Sequence, residues 1–167
     1  MKIYIPLIIL FTVACLVSSA QTNPDQEKQI EHQKLKAGID AKQFHFIPTS
    51  ATNYKGRSVQ LTGSYFLFLS VDSLMVSLPF YGRSYSAAAY GGSSEDAGIN
   101  FHTNEFSYKS DTTTKGGWNI TIQPRGQSSA SKIYLVVFSN GSCKASVNSS
   151  NRSAMTYYGT VSSDIKN

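Results

Sequence analysis

The sequence predicts an all-β domain, an antiparallel barrel or sandwich of about 8–10 short strands preceded by one helix. Three observations carry this. Apolar and polar residues alternate in run after run beyond Phe44. Turn-forming residues separate those runs at spacings of about 8–12 residues. No run of helical periodicity falls between them, which argues against a parallel α/β fold.

The elements follow in order. Lys2 and the apolar run Ile3 to Val17, then the small residues Ser18-Ser19-Ala20, have the layout of a secretory signal peptide cleaved between Ala20 and Gln21. The run is too short to span a bilayer comfortably. Thr12-Val13-Ala14-Cys15 loosely resembles a lipidation motif. However, Leu16 and Val17 continue the apolar run past Cys15, so soluble release after Ala20 is the expectation and membrane association would require lipidation of Cys15. Residues 1–20 are thus assigned to a signal peptide, 21–42 to a helical segment and 43–165 to a single all-β domain.

Asn23 before Pro24 fits an N-cap with proline in the first turn, and Gly38 fits a helix stop. Ile30, Leu35 and Ile39 give this helix only a thin apolar stripe, so it is expected to lie on the domain surface or lead into it. Strand signals come next: Phe44 and Phe46, Val59 and Leu61, then the run Tyr65 to Leu69 and a tight turn at Asp72-Ser73 into Leu74–Leu78. Trp118, Ile120 and Ile122 alternate with polar residues, and Ile133 to Phe138 is apolar on both faces. Asn140-Gly141 is a hairpin signal. Beyond it, Cys143, Ala145 and Val147 share one face, as do Met155, Tyr157, Gly159 and Val161.

Charge and cysteine usage narrow the function. The formal net charge is +5, but the basic residues are scattered, which argues against a nucleic-acid groove. Cleavage after Ala20 leaves Cys143 as the one cysteine, so no internal disulfide staples the fold, and a buried structural thiol is expected there. A monomer standing on its core alone is the expectation.

Catalytic groupings are sparse. His32, His45 and His102 lack the spacing of metal ligands, and no nucleophile elbow surrounds any serine. Glu95-Asp96 sit side by side in a Gly/Ser-rich loop, which suits a solvated turn better than paired acid–base work. No cofactor, metal or catalytic residue is assigned. The sequons at Asn119, Asn140, Asn148 and Asn151 reflect composition.

Two loop clusters stand out: Tyr81, Arg83, Tyr85 and Tyr90, and Asn151, Arg152, Tyr157 and Tyr158. Tyrosine offers a flat amphipathic ring and arginine a planar donor fork, which is binding chemistry. Tyr81, Arg83, Tyr85, Asn151 and Arg152 are therefore the candidate ligand-binding set. The competing expectation, and the favoured one for Arg83, is that the arginine ties down a carbonyl or carboxylate while the tyrosines cap the core.

Three stretches, GRSVQLTGSYFLFLSVDSLMVSLPFYGRSYSA (56–87), GGSSEDAGINF (91–101) and VFSNGSCKASVNSSNRSAMTYYGTV (137–161), together resemble the domain-of-unknown-function family numbered 4251. The likeness covers roughly residues 28–165. It implies an exported domain of Bacteroidetes-type Gram-negative bacteria, periplasmic or associated with the outer envelope, with no activity or catalytic residues to carry over. The segment from Ala87 to Gly98 departs from the compact glycine-rich stretch more usual in that family.

Strand parity leaves one question open. If 98–102 and 104–110 are two strands turning at Thr103, Arg83 and Arg152 lie at opposite ends of the domain; if 98–110 is one bent strand, they share an end. The leading functional expectation is a non-enzymatic envelope domain that binds a small molecule or another envelope component through its Tyr/Arg loops. A structural or protein-interaction module is the alternative, and a hydrolase the third.

Overall fold

A computed structural model describes residues 24–85, 98–126 and 129–163. The signal-peptide reading, Cys15, the Ala20–Gln21 cleavage site, Tyr90 and the pair Glu95-Asp96 lie outside the described residues. One helix, α1 (Pro24–Asp40), is followed by β1 (Phe44–Asn53), β2 (Ser58–Gln60), β3 (Phe66–Leu69), β4 (Leu74–Pro79), β5 (Gly98–Thr103), β6 (Phe106–Thr112), β7 (Trp118–Pro124), β8 (Lys132–Val137), β9 (Ser142–Asn148) and β10 (Met155–Ser162).

All ladders are antiparallel, in the order β5-β4-β3-β1-β10-β9-β8-β7-β6, with β2 paired to β1 off that path. The two ends of the path, β5 and β6, are consecutive in the chain and run in the same direction. They are two halves of one bent strand: the first half pairs with β4 and the second with β7. The sheet thus curls into a nearly closed up-and-down barrel whose seam is this single segment. Parity then puts the loop after β4 and the loop after β9 at the same end, which answers the question the sequence leaves open.

The alternation legible in the sequence is the wall of this barrel. Trp118, Ile120 and Ile122 on β7, Ile133, Leu135 and Val137 on β8, and Cys143, Ala145 and Val147 on β9 all point inward and are buried. In the β8–β9 pair Ile133 lies opposite Val147 and Leu135 opposite Ala145, so the same face of both strands feeds the core, while β1 shifts register against β10 between Pro48 and Ser50. The β8 run, apolar on both faces, is two-sided only in composition: Tyr134 and Phe138 project outward and are exposed. Burial pushes the Cys143 thiol up to about 12, which suits an inert core side chain.

The helix does not stop at Gly38. It continues to Asp40 and ends in a Schellman closure, with Gln43 N–H on the Gly38 carbonyl (2.7 Å) and Lys42 N–H on the Ile39 carbonyl (3.2 Å). Lys42 takes the left-handed conformation, φ 56°, that usually marks glycine. Gly38 is needed for a different reason: a Cβ there would run into Ser163 Cβ and the Gln43 carbonyl. The helix is also more than a surface decoration. Leu35 and Ile39 are buried over one end of the barrel, while Ile30 stays exposed. Tyr108 donates its hydroxyl to the Ile39 carbonyl (2.9 Å), and His32 stacks on Trp118 at 5.2 Å with its Nε2 3.0 Å from the Gly116 carbonyl.

Candidate functional site

The end opposite the helix is built by the residues that follow β4. After Pro79 the chain does not turn back into a strand but crosses as a short strap, residues 80–85, toward the loop between β9 and β10. Ser84 and Arg152 form an isolated antiparallel bridge. Tyr85 donates its N–H to the Asn151 carbonyl (2.8 Å), and Ser153 donates its N–H to the Arg83 carbonyl (2.9 Å). The Arg83 N–H goes to Ser153 Oγ at 2.9 Å. Gly82 permits this approach, because a Cβ there would strike Ser153 Oγ and the Phe80 ring.

Two further groups brace the strap from below. Tyr157, fully buried on β10, donates its hydroxyl to the Pro79 carbonyl at 2.7 Å. Burial, then the neighbouring Tyr81, raises the Tyr157 phenol well above its usual range, and Arg152 works against that rise. Arg152 sends Nη1 to the Gly98 carbonyl at 2.6 Å and lays its guanidinium 5.1 Å from the Phe80 ring centre. The carbonyl-holding arginine is therefore Arg152.

Arg83 departs from the expectation of a fold-holding side chain. Its backbone is paired, but its side chain is exposed, with no hydrogen-bond or ion-pair partner among the described residues. Beside it, Tyr85 is 69% exposed and Tyr81 43% exposed. Tyr81 leans on Tyr65: desolvation raises its pKa, and the charge and hydrogen bond of Tyr65 add to the rise. Asn53 completes the surface. Its Oδ1 accepts the N–H groups of Lys55 (3.0 Å) and Arg57 (3.1 Å), and its Nδ2 reaches the Tyr81 carbonyl at 3.4 Å.

All five candidate residues thus meet at one end, but in two roles. Asn151 and Arg152 hold the strap, while Tyr81, Arg83 and Tyr85 are displayed on it. Sequence reasoning passes over Ser153, Gly82 and Asn53, whose roles come from contacts 28 to 71 residues away in the chain. Only the Gly-Arg step within the strap hints at a close approach.

Among the described residues, buried side chains from Phe44 to Val161 occupy the barrel interior. A groove of about 690 Å³ lies at the helix end, between α1 and the β8–β9 turn, with Leu35, Gly141 and Val161 among its walls. None of the sequence candidates borders it. No group of three or more His, Cys, Asp or Glu side chains suited to a metal occurs among the described residues.

The model of a domain of unknown function, DUF4251, matches residues 26–161, which spans α1 and nearly the whole barrel. The chain belongs to the DUF4251 family. Among solved structures it is similar to a DUF4251 family protein from Bacteroides eggerthii DSM 20697, with a TM-score of 0.56 and 17% sequence identity. That match covers 79% of this chain and 87% of the other, and at this identity it shows the shared fold. No curated protein matches the chain. Arg83 and Arg152, within the stretches that resemble the family, are thus the displayed and the holding arginine of one DUF4251 barrel end.

Proposed function

We propose that this DUF4251 protein is an exported, non-enzymatic binding module of the cell envelope that takes its partner on the strap end of the barrel. One observation carries the reading. Arg83 and Tyr85 are displayed to solvent from a backbone fixed on both sides by bonds to Asn151 and Ser153. Side chains held in this way lose less freedom on binding than the same groups on an unpaired loop. The signal-like N-terminus supports export, and the filled interior supports binding on the outside of the barrel.

The test is retention of the purified protein on immobilised envelope extract. Arg83→Ala and Tyr85→Ala should each weaken retention while leaving Tm unchanged. Equal retention of both variants would refute the assignment. Mass spectrometry of the protein from a native host should find Gln21 at the mature N-terminus; a lipidated Cys15 would instead place it on a membrane surface.

A second reading has one observation in its favour. Outward-facing Phe68 and Met75 lie side by side on β3 and β4, flanked by His45 and His102 in the same cross-strand row. With Ile47 also exposed nearby, this apolar strip suits a protein-interaction module. Cross-linking that captures an envelope protein in wild type but not in Met75→Lys would support it.

A further inference from the structure

Among the described residues the carboxylates, unlike the scattered cations, are sorted along the barrel. The helix carries Asp25, Glu27, Glu31 and Asp40, and Asp72 and Asp111 lie at strand ends near it. Glu105 sits at the bend between β5 and β6. The stretches 41–71 and 112–163 contain no Asp or Glu at all. Those stretches supply the β1–β2 turn and the β9–β10 loop, which flank the strap, and the described strap residues, 80–85, are also free of carboxylates; Glu95 and Asp96, further along the connection to β5, lie outside the described residues.

The same end carries cations. Lys55 and Arg57 sit in the β1–β2 turn, which Asn53 clamps to Tyr81, and Arg83 lies two residues further along the strap. All three side chains are exposed. Tyr54, Tyr81 and Tyr85 are exposed among them, and Lys55 Nζ lies 5.9 Å from the Tyr54 ring centre. The large exposed aliphatic, methionine and phenylalanine side chains, Ile30, Ile47, Val71, Met75 and Phe138, belong to the helix, to the barrel wall or to turns near the helix.

Resting on the strap-end reading above, we propose that the partner at this site is an acidic polysaccharide, a chain of sugars bearing carboxylates. Guanidinium forks meet carboxylates in bidentate geometry, and an acid-free surround leaves no internal competitor among the described residues. Tyrosine rings give sugar rings a flat apolar face, and their hydroxyls both donate and accept, as sugar hydroxyls do. A membrane surface fits less well, because interfacial binding draws on Trp, Phe and Leu wedges that this end does not display.

The experiment measures binding of the purified protein to polygalacturonate, to neutral dextran and to phosphatidylglycerol vesicles at several NaCl concentrations. Polygalacturonate is expected to bind, and to bind more weakly as salt rises. Lys55→Ala/Arg57→Ala/Arg83→Ala should lower that affinity about tenfold with Tm unchanged, since exposed ion pairs contribute little each but add when independent. Lys34→Ala/Lys115→Ala, at the helix end, should leave it as in wild type. Tighter binding of the vesicles, or equal binding of dextran, would overturn the acidic glycan. So would a triple variant that binds as wild type does. If polygalacturonate fails while envelope extract is still retained through Arg83, this inference falls and the strap-end reading stands; if Arg83→Ala leaves extract retention unchanged, both fall.

Discussion

At one end of the barrel α1 covers the wall with side chains, Leu35 and Ile39 buried over the core and His32 stacked on Trp118. At the other end the strap is held by main-chain bonds to Asn151 and Ser153, and its own side chains Arg83 and Tyr85 face outward. The first arrangement consumes apolar groups to close the fold. The second leaves Arg83 and Tyr85 unspent, because main-chain bonds and the side chains of Ser153, Tyr157 and Arg152 do the holding. A candidate binding surface is therefore found where neighbouring elements do the anchoring and the strap's own side chains stay free.

That contrast can be broken at either end, and the largest effect belongs to the helix. Ile39→Ala removes a fully buried side chain and should cost about 3 kcal/mol by chemical denaturation. A loss near zero would mean that the helix is not closing the core. Arg152→Ala comes next at about 2 kcal/mol, because it strips a charged donor from the Gly98 carbonyl; a far smaller cost would show that the strap stands without it. Tyr157→Phe should cost about 1 kcal/mol by leaving the Pro79 carbonyl without its hydroxyl donor. Arg83→Ala, on the displayed side of the same strap, should stay within about 0.5 kcal/mol. If Arg83→Ala matched Arg152→Ala, the division into holding and displayed arginines would fail.

High pH offers a gentler probe of the helix end. Burial, countered by a hydrogen bond from Ser110 and reinforced by the Asp40 charge, pushes the Tyr108 phenol from 10.0 up to about 12. Between those values the unfolded chain loses this proton and the folded one keeps it, so stability falls with rising pH and levels off above about 12. Tm followed from pH 9 upward should show a decline starting near pH 10, and Tyr108→Phe should make it shallower. An identical decline in the variant would assign the loss to other groups.

Much of the barrel was legible because its strands have one wet and one dry face, as with Trp118, Ile120 and Ile122. The hairpin at Asn140-Gly141 was legible for a local reason too, since Gly141 takes φ 79°. What hid was non-local. Gly38 looks like a helix stop because stops and close approaches both select glycine, and only the position of Ser163 tells them apart. Arg83 and Arg152 look alike in sequence; their roles separate only once Gly98 is brought beside Arg152. The break in alternation at Thr103-Asn104 reads equally as turn or bend, and the ladders on its two sides resolve it.

That bent strand gives the barrel an unusual vulnerability. Every other neighbouring pair around the wall is joined by its own ladder, but the circle is completed by covalent chain alone, through residues 104 and 105. A protease cut there would sever no ladder and yet unroll the cylinder, like slitting the seam of a tube. The opened sheet would carry two raw margins, one along β5 and one along β6, whose outward backbone groups no ladder occupies. Nicking at Asn104 is thus a route from a closed barrel to an open sheet with two free edges.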